Sequence, residues 1–297
     1  MNLLKKIYLT LQSQGRHPLN RHSSLRAAWN FSLAQISARL VPGEVCVAFP
    51  NETRLLVPPK MKGAAHFIYP GVCEFEEMSF VLHFARPNEL FVDVGANIGA
   101  YTILAAGAVG SAGIAFEPNP STFRALEANI HLNNLGSRVK LVNAALGKNE
   151  GILRMTDGLG TENRACAEDQ KSGGVSVPMT TLDKILAGQN PVLLKMDVEG
   201  FETQVFSGAT QTLANFSLQA MIVEKNGAGH AYGFDEEALH QKIRDHGFNP
   251  CTYSPFDRKL TPVSVNVGGN IIYIRDVNAS RQKLQAAPIF HFKGFKI

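Results

Sequence analysis

The sequence predicts a doubly wound α/β sheet, mostly parallel with an antiparallel strand near its C-terminal end, carrying helices on both faces. Two features predict it. From Leu90 onward, short apolar runs alternate with stretches of helical periodicity. Prolines and glycines punctuate the joins between them. Alternation of this kind calls for crossover connections, and crossovers build parallel sheets.

The elements follow in order. LFVDVG (90–95) reads as a buried strand and NIGAYTILAAGAV as the helix after it. AGIAFEP (112–118) is a second strand closed by Pro118. PSTFRALEANIHLNN is a helix with Pro120 in its first turn, where a missing N–H costs least. RVKLVNAALG (138–147) is a third strand. ILRM and VSVPM form a hairpin around the polar, glycine-bearing segment 156–174, a candidate substrate lid, and TTLDKIL is a short helix capped by Thr180 or Thr181. PVLLKMDV (191–198) is the fourth core strand. A helix from about Phe201 to Phe216, the strand LQAMIVEK, a helix ending at Gly247, and strands near 248–253 and 270–275 complete the series. Ahead of it, EFEEMSFVLHFAR (74–86) suits an amphipathic helix stopped before Pro87, and VCVAFPNETRLLVPP suits a hairpin around Pro50 and Asn51. The division is an accessory segment over 1–73, a main domain over 74–278, and a basic, aromatic tail over 279–297.

Composition bounds the function. The 297 residues are 45% hydrophobic and 18% charged, enough to bury a sizeable core and too apolar for disorder. Residues 1–62 carry +7 and residues 279–297 carry +4, leaving −7 between them for a chain whose total is +4. Solvated termini are the plain reading of the basic ends. The sharper one is contact with an anionic membrane surface, since Phe290, Phe292 and Phe295 stand beside Lys293 and Lys296. No run reaches the roughly 18 apolar residues of a membrane span. Lys5 and Lys6 interrupt the apolar start, unlike a cleaved signal. Cys46, Cys73, Cys166 and Cys251 are scattered with no zinc spacing, so the expectation is reduced thiols in the cytoplasm and no assigned metal ligands.

Ligands of such sheets bind beyond the carboxyl ends of the strands. The first strand ends in Asp93, Gly95, Asn97 and Gly99, a tight turn that lets backbone approach a ligand. An acid before the first glycine repels phosphate and suits a cation, such as the ammonium and sulfonium of S-adenosylmethionine. Glu117 ends the second strand, 24 residues beyond Asp93, near the spacing of a carboxylate that accepts ribose hydroxyls. Asn143, ending the third, is placed to line the adenine.

FVDVGANIGAYT, AFEPNP, NAALG and LLKMDVEGFE, in this order, resemble the FkbM-type methyltransferases over residues 74–225. The resemblance implies a class I methyltransferase (Rossmann-like) fold, S-adenosylmethionine as donor, and O-methylation of a sugar, a glycolipid or polysaccharide precursor, or another hydroxylated small molecule. By that resemblance Asp93, Gly95, Asn97, Gly99 and Glu117 match the family's cofactor motif.

Methyl transfer is an in-line displacement, so catalysis rests on positioning and on removing the acceptor's proton. The fourth strand ends in Asp197 and Glu199, two acids at alternate positions. Asp197 is the first choice for the active site, its competing role being a helix cap; Glu199 belongs to the family motif. His230, in a glycine-bearing loop after Glu224, is a further candidate base, while Lys195 and Lys225 read as strand-end ion partners. A divalent metal that lowers the hydroxyl pKa stays open. A nicotinamide oxidoreductase would need a pyrophosphate-binding glycine pattern absent here. A nucleic-acid methyltransferase would show an Asn/Asp-Pro-Pro-aromatic run where Met196 to Glu199 stand. A non-catalytic S-adenosylmethionine-binding module remains the alternative.

Overall fold

The computed structural model describes residues 43–58, 72–157, 163–166, 174–264, 269–292 and 295–297. The amphipathic start and the stretch around Trp29 lie outside them.

Strands β1 (Val45–Ala48) and β2 (Arg54–Val57) pair antiparallel about a turn in which Asn51 takes φ +51°. Helix α1 (Phe75–Phe84) ends at Ala85, ahead of Pro87. Then come β3 (Leu90–Val94) and α2, an α-helical turn Ala100–Thr102 continued by π-helical turns Ile103–Val109. β4 (Ala112–Phe116) leads to α3 (Pro120–Leu132), capped by the Asn119 side chain, which accepts from the Ser121 and Thr122 N–H groups. β5 (Val139–Val142), β6 (Ala145–Leu146), β7 (Gly151–Met155) and β8 (Val175–Thr180) follow. Thr181 caps α4 (Leu182–Ile185). After β9 (Pro191–Met196) stand α5 (Glu202–Ser207), α6 (Thr210–Ala214), β10 (Ala220–Lys225) and α7 (Glu236–Asp245). β11 (Asn249–Ser254), β12 (Lys259–Pro262), β13 (Gly269–Ile274), α8 (Val277–Gln285), β14 (His291–Phe292) and β15 (Phe295–Lys296) close the chain.

Eight strands form the main sheet in the order β12-β11-β13-β10-β9-β3-β4-β5. β10, β9, β3, β4 and β5 run parallel; β13 is antiparallel to both its neighbours, and β12 is antiparallel to β11. This is the doubly wound α/β fold the sequence predicts, with one more antiparallel strand at the edge. The order reverses at β3, so the crevice between β3 and β9 is the switch point.

The pleat sorts the core. Phe91, Ala115, Leu193, Ile222 and Ile272 join one apolar cluster with residues of α1, α2 and α3 and with Leu284 of α8. Val92, Ile114, Phe116, Leu194, Met196, Met221 and Tyr273 join another with residues of α4 to α7. Both faces are covered, as the unbroken apolar runs require.

Four details depart from the sequence reading. The third strand splits, because the Asn143 amide turns inward to the carbonyls of Glu117 and Pro118, and β6 leaves to join β7 and β8 in a small sheet. The helix expected over 201–216 is two short ones. A Cβ on Gly208 would lie 2.1 Å from the Gly147 carbonyl oxygen, and the chain bends at this close approach. In the accessory segment, the Asn129 amide of α3 and the Asn133 amide at its C-cap bond the backbone of Leu56 and Arg54, clamping the β1–β2 hairpin to the main domain. The tail is also packed. α8 begins at Val277 on an Asp276 cap, Lys283 pairs with Glu89 at 2.6 Å, and Phe290 and Phe292 are buried. Those two rings therefore serve the core rather than a free surface, and Lys293 lies outside the described residues. Among the described residues no helix is long and apolar enough to cross a membrane, and no group of His, Cys, Asp and Glu could hold a metal.

Candidate active site

A cavity of about 570 Å³ opens at the carboxyl ends of β3, β4, β9 and β10. Asp93, Gly95, Asn97, Glu117, Asp197 and Glu199 all line it, with Lys195 and Glu224. The strand register explains the gathering. Asp93 pairs with Lys195 on β9 and with Ala115 on β4, and Ile222 pairs with Lys195. Residues two further along each strand, Asp197, Glu117 and Glu224, therefore project from the same face.

Asp93 is buried, and its Oδ2 accepts from the Thr102 hydroxyl at 2.6 Å. Its Oδ1 is buried with no partner. Burial raises its pKa to about 6, against the opposing pull of Lys195 and the Thr102 bond. Glu117 is buried and accepts from two backbone N–H groups, Asn97 at 3.0 Å and Asn119 at 2.9 Å. Burial nonetheless lifts it to about 7.

The turn after β3 is held by close approach. Gly95 takes φ +77°, and a Cβ there would lie 1.8 Å from the Asp197 carbonyl oxygen. Asn97 takes φ +52°, a left-handed conformation that Asn tolerates better than most residues. Gly95 is thus required by the backbone just past β9.

Lys195 is the cation at the centre. Its side chain is 3% exposed, its Nζ lies 2.7 Å from Asp197 Oδ2, and it sits 5.0 Å from the centroid of the Tyr101 ring. Burial opposes its charge, yet Asp197, Glu74 and Asp93 around it hold the ammonium above the ordinary lysine range. Burial likewise opposes charge on Asp197, but Lys195 and a hydrogen bond from Glu224 keep its carboxyl below the ordinary range. Glu224 is raised to about 9 by burial and by the Asp197 charge. Asp197 is 28% exposed against 3% for Lys195, so of these two it is the group open to the cavity.

The cap reading of Asp197 fails on these contacts. The turn into α5 is closed by Glu202, whose Oε1 accepts from the N–H groups of Val198 and Gly200. Glu199 lines the cavity at φ +55°. Three expectations are corrected. Gly99 does not line the cavity; it takes φ +90° at the start of α2, where a Cβ would lie 2.6 Å from Leu126 Cδ1. Asn143 does not line the cavity; its amide protons go to the β4 end, where it fixes the Glu117 backbone. His230 lies exposed on a 3₁₀ turn, Ala228–Tyr232, away from the cavity lining, because the loop after β10 folds toward Glu236 instead. Lys225 pairs with Glu237 as an ion partner. Most of segment 156–174 lies outside the described residues, but Asn163 within it lines the cavity.

Sequence reasoning missed Glu224, Tyr101 and Glu74 as members of the site. Glu224 carried a positional signal, since like Asp197 just past β9 it is an acid at the carboxyl end of a core strand. An apolar recess lined by Pro118, Ala144, Ala145, Leu153, Val198 and Phe201 adjoins the cavity.

Comparison with known proteins gives the context. The fold is similar to the crystal structure of the FkbM methyltransferase from Methylobacillus flagellatus KT, at 16% identity and TM-score 0.43, over 72% of this chain and 54% of that one. The chain thus spans about half the length of that protein. It is also similar to an rRNA methylase from Streptococcus thermophilus (11% identity, TM-score 0.39, 67% and 93% covered). A third likeness is to TrmK of M. capricolum in complex with S-adenosyl-homocysteine (9% identity, TM-score 0.39, 67% and 68% covered). No curated protein matches. The model of the methyltransferase FkbM domain matches residues 93–250, more than half of the chain, and the protein belongs to that methyltransferase family.

Proposed function

We propose that the protein is an S-adenosylmethionine-dependent O-methyltransferase acting on a hydroxyl of a sugar or another small molecule. The observation that carries the reading is the buried, unpartnered Oδ1 of Asp93, beside Glu117 in an acid-rich cavity at the switch point. An orphaned buried carboxylate oxygen is costly unless a ligand donates to it. The ammonium of S-adenosylmethionine is such a donor, and its ribose hydroxyls suit Glu117, whose oxygens keep lone pairs beyond the two N–H bonds they accept. A nicotinamide dinucleotide fits less well, because its pyrophosphate would meet Asp93, Glu117, Asp197, Glu199 and Glu224 with Lys195 as the balancing cation lining the cavity.

The bound cofactor supplies an electrophilic sulfonium methyl. The chain's own residues do the rest: Asp93 and Glu117 orient the donor, Lys195 holds Asp197 ionised, and Asp197 Oδ accepts the hydroxyl proton as the acceptor oxygen attacks. Acceptors of carbohydrate type suit a cavity rich in carboxylate acceptors. A small-molecule rather than nucleic-acid acceptor is part of this proposal, and peripheral contact of the basic ends with an anionic surface is a separate one.

Calorimetric titration with S-adenosylmethionine and with NAD tests the cofactor reading. Micromolar binding of the first alone is expected; binding of NAD alone, or of neither, refutes it. Transfer of a labelled methyl group to monosaccharides rather than to amines tests the O-methyl assignment.

A further inference from the structure

Glu224 is unaccounted for by cofactor binding, and its placement is specific. β10 runs parallel to β9 with Val223 opposite Met196, so Glu224 stands opposite Asp197 at the next position of the register. The two carboxyl groups are hydrogen-bonded, and Lys195 Nζ donates to Asp197 Oδ2 at 2.7 Å from the other side. The Asn226 amide donates to Glu224 Oε2 at 2.9 Å, fixing that carboxyl in turn. Both acids line the cavity. Two carboxyl groups in contact cannot both be charged without strong repulsion, so they share a proton. With Lys195 on Asp197, the proton belongs to Glu224, which burial and the Asp197 charge hold protonated up to about pH 9. The other charged groups facing the pair are Asp93 on β3, Glu117 on β4, Glu74 ahead of α1 and Glu199 after β9.

We propose that Glu224 is a positioning residue: its protonated carboxyl donates to Asp197 and, with Lys195, aims an ionised Asp197 into the cavity as the group that takes the acceptor's proton. The inference rests on the methyltransferase reading above. In the step it serves, the acceptor oxygen bonds the methyl carbon while the carbon–sulfur bond breaks. The bond's electron pair stays on sulfur, and the O–H proton passes to Asp197 Oδ. One positive charge on sulfur and one negative charge on Asp197 vanish together, so the charge of the site is constant through transfer. Lys195 and Glu224 then keep the same partners before and after.

The test uses the full chain without cofactor. Carboxyl ¹³C resonances of glutamate-labelled protein are followed from pH 5 to 10.5, in the wild type, in Glu224→Gln and in Asp197→Asn. The expected result is one glutamate titrating near 9, absent in Glu224→Gln and moved down by a unit or more in Asp197→Asn, where the like charge is gone. The proposal is overturned if no glutamate titrates above 8, or if the high-titrating one survives Glu224→Gln or ignores Asp197→Asn. Calorimetry on Glu224→Gln separates the two levels of inference. S-adenosylmethionine bound by that variant with unchanged affinity supports a role apart from the cofactor, and a tenfold loss overturns it. Failure of the wild type to bind would sink the cofactor reading, whatever the resonances show.

Discussion

Replacing Lys195 by Met removes the cation about which the site is built, and the structure fixes the size of the effect. The ammonium is sealed at 3% exposure, lies 2.7 Å from Asp197 Oδ2, and stands beside Asp93 and Glu74. Breaking a buried pair by removing one partner costs about 3–5 kcal/mol, since the other charge is left uncompensated. At about 2–4 °C per kcal/mol for a large domain, the midpoint of thermal unfolding should fall by roughly 6–20 °C. The loss should depend on pH in a definite sense. Without Lys195, Asp93 and Asp197 are carboxyls whose folded pKa values lie above their unfolded ones. The folded state then binds protons more readily, so stability is retained at low pH and lost as pH rises through the folded values. Urea unfolding followed by circular dichroism at pH 5.5 and pH 8 should therefore show the larger penalty at pH 8. Lys184→Met is the control, because its pair with Glu150 is about 59% exposed and such pairs contribute at most about 1 kcal/mol. A Lys195→Met penalty as small as that of the control, or one that grows at low pH, would refute the reasoning.

Other outcomes follow from the same geometry. Gly95→Ala places a Cβ 1.8 Å from the Asp197 carbonyl oxygen at φ +77°, so the β3 and β9 ends must part; urea unfolding should show a loss above about 2 kcal/mol, and cofactor binding should fail. Affinity for S-adenosylmethionine should rise between pH 5.5 and 8. A cation favours ionised carboxylates, and Asp93 and Glu117 begin near 6 and 7; calorimetry in buffers of different ionisation enthalpy should register proton release. Asn129→Ala removes three hydrogen bonds, to the Leu56 N–H and to the carbonyls of Leu56 and Ile98. It should cost about 2–3 kcal/mol and free the Leu56 amide to exchange with deuterium.

The sheet was legible because its strands are apolar runs cut by Pro118, Pro120 and the Gly95 turn, signals local to the chain. Asp93, Asn97, Glu117, Asp197 and Glu199 were legible because strand ends in this architecture converge on one crevice. Glu224 stands at a strand end too, but its contact with Asp197 was not legible, since it depends on β10 lying beside β9 in register, a pairing between distant segments. Lys195 was read as an ion partner, but that it would be the sealed cation of the site follows from Asp93, Tyr101 and Asp197 closing around it. His230 misled because a loop sequence does not say which way it folds; the carboxylate of Glu236 draws the Gly227 and Gly229 N–H groups outward, and His230 with them. The tail misled for the opposite reason. Phe290 and Phe292 look like surface anchors in sequence, and only the packing of α8 on α1 gives them an interior to enter.

The most direct test of the central claim is calorimetric titration of S-adenosylmethionine into the wild type and its Asp93→Asn variant, an isosteric change that keeps the Thr102 contact possible. If the buried Oδ1 of Asp93 receives the ammonium of the cofactor, the wild type binds and the variant binds at least about tenfold more weakly, the equivalent of 1.4 kcal/mol. Equal affinities in the two proteins, or no binding to the wild type, would contradict the account.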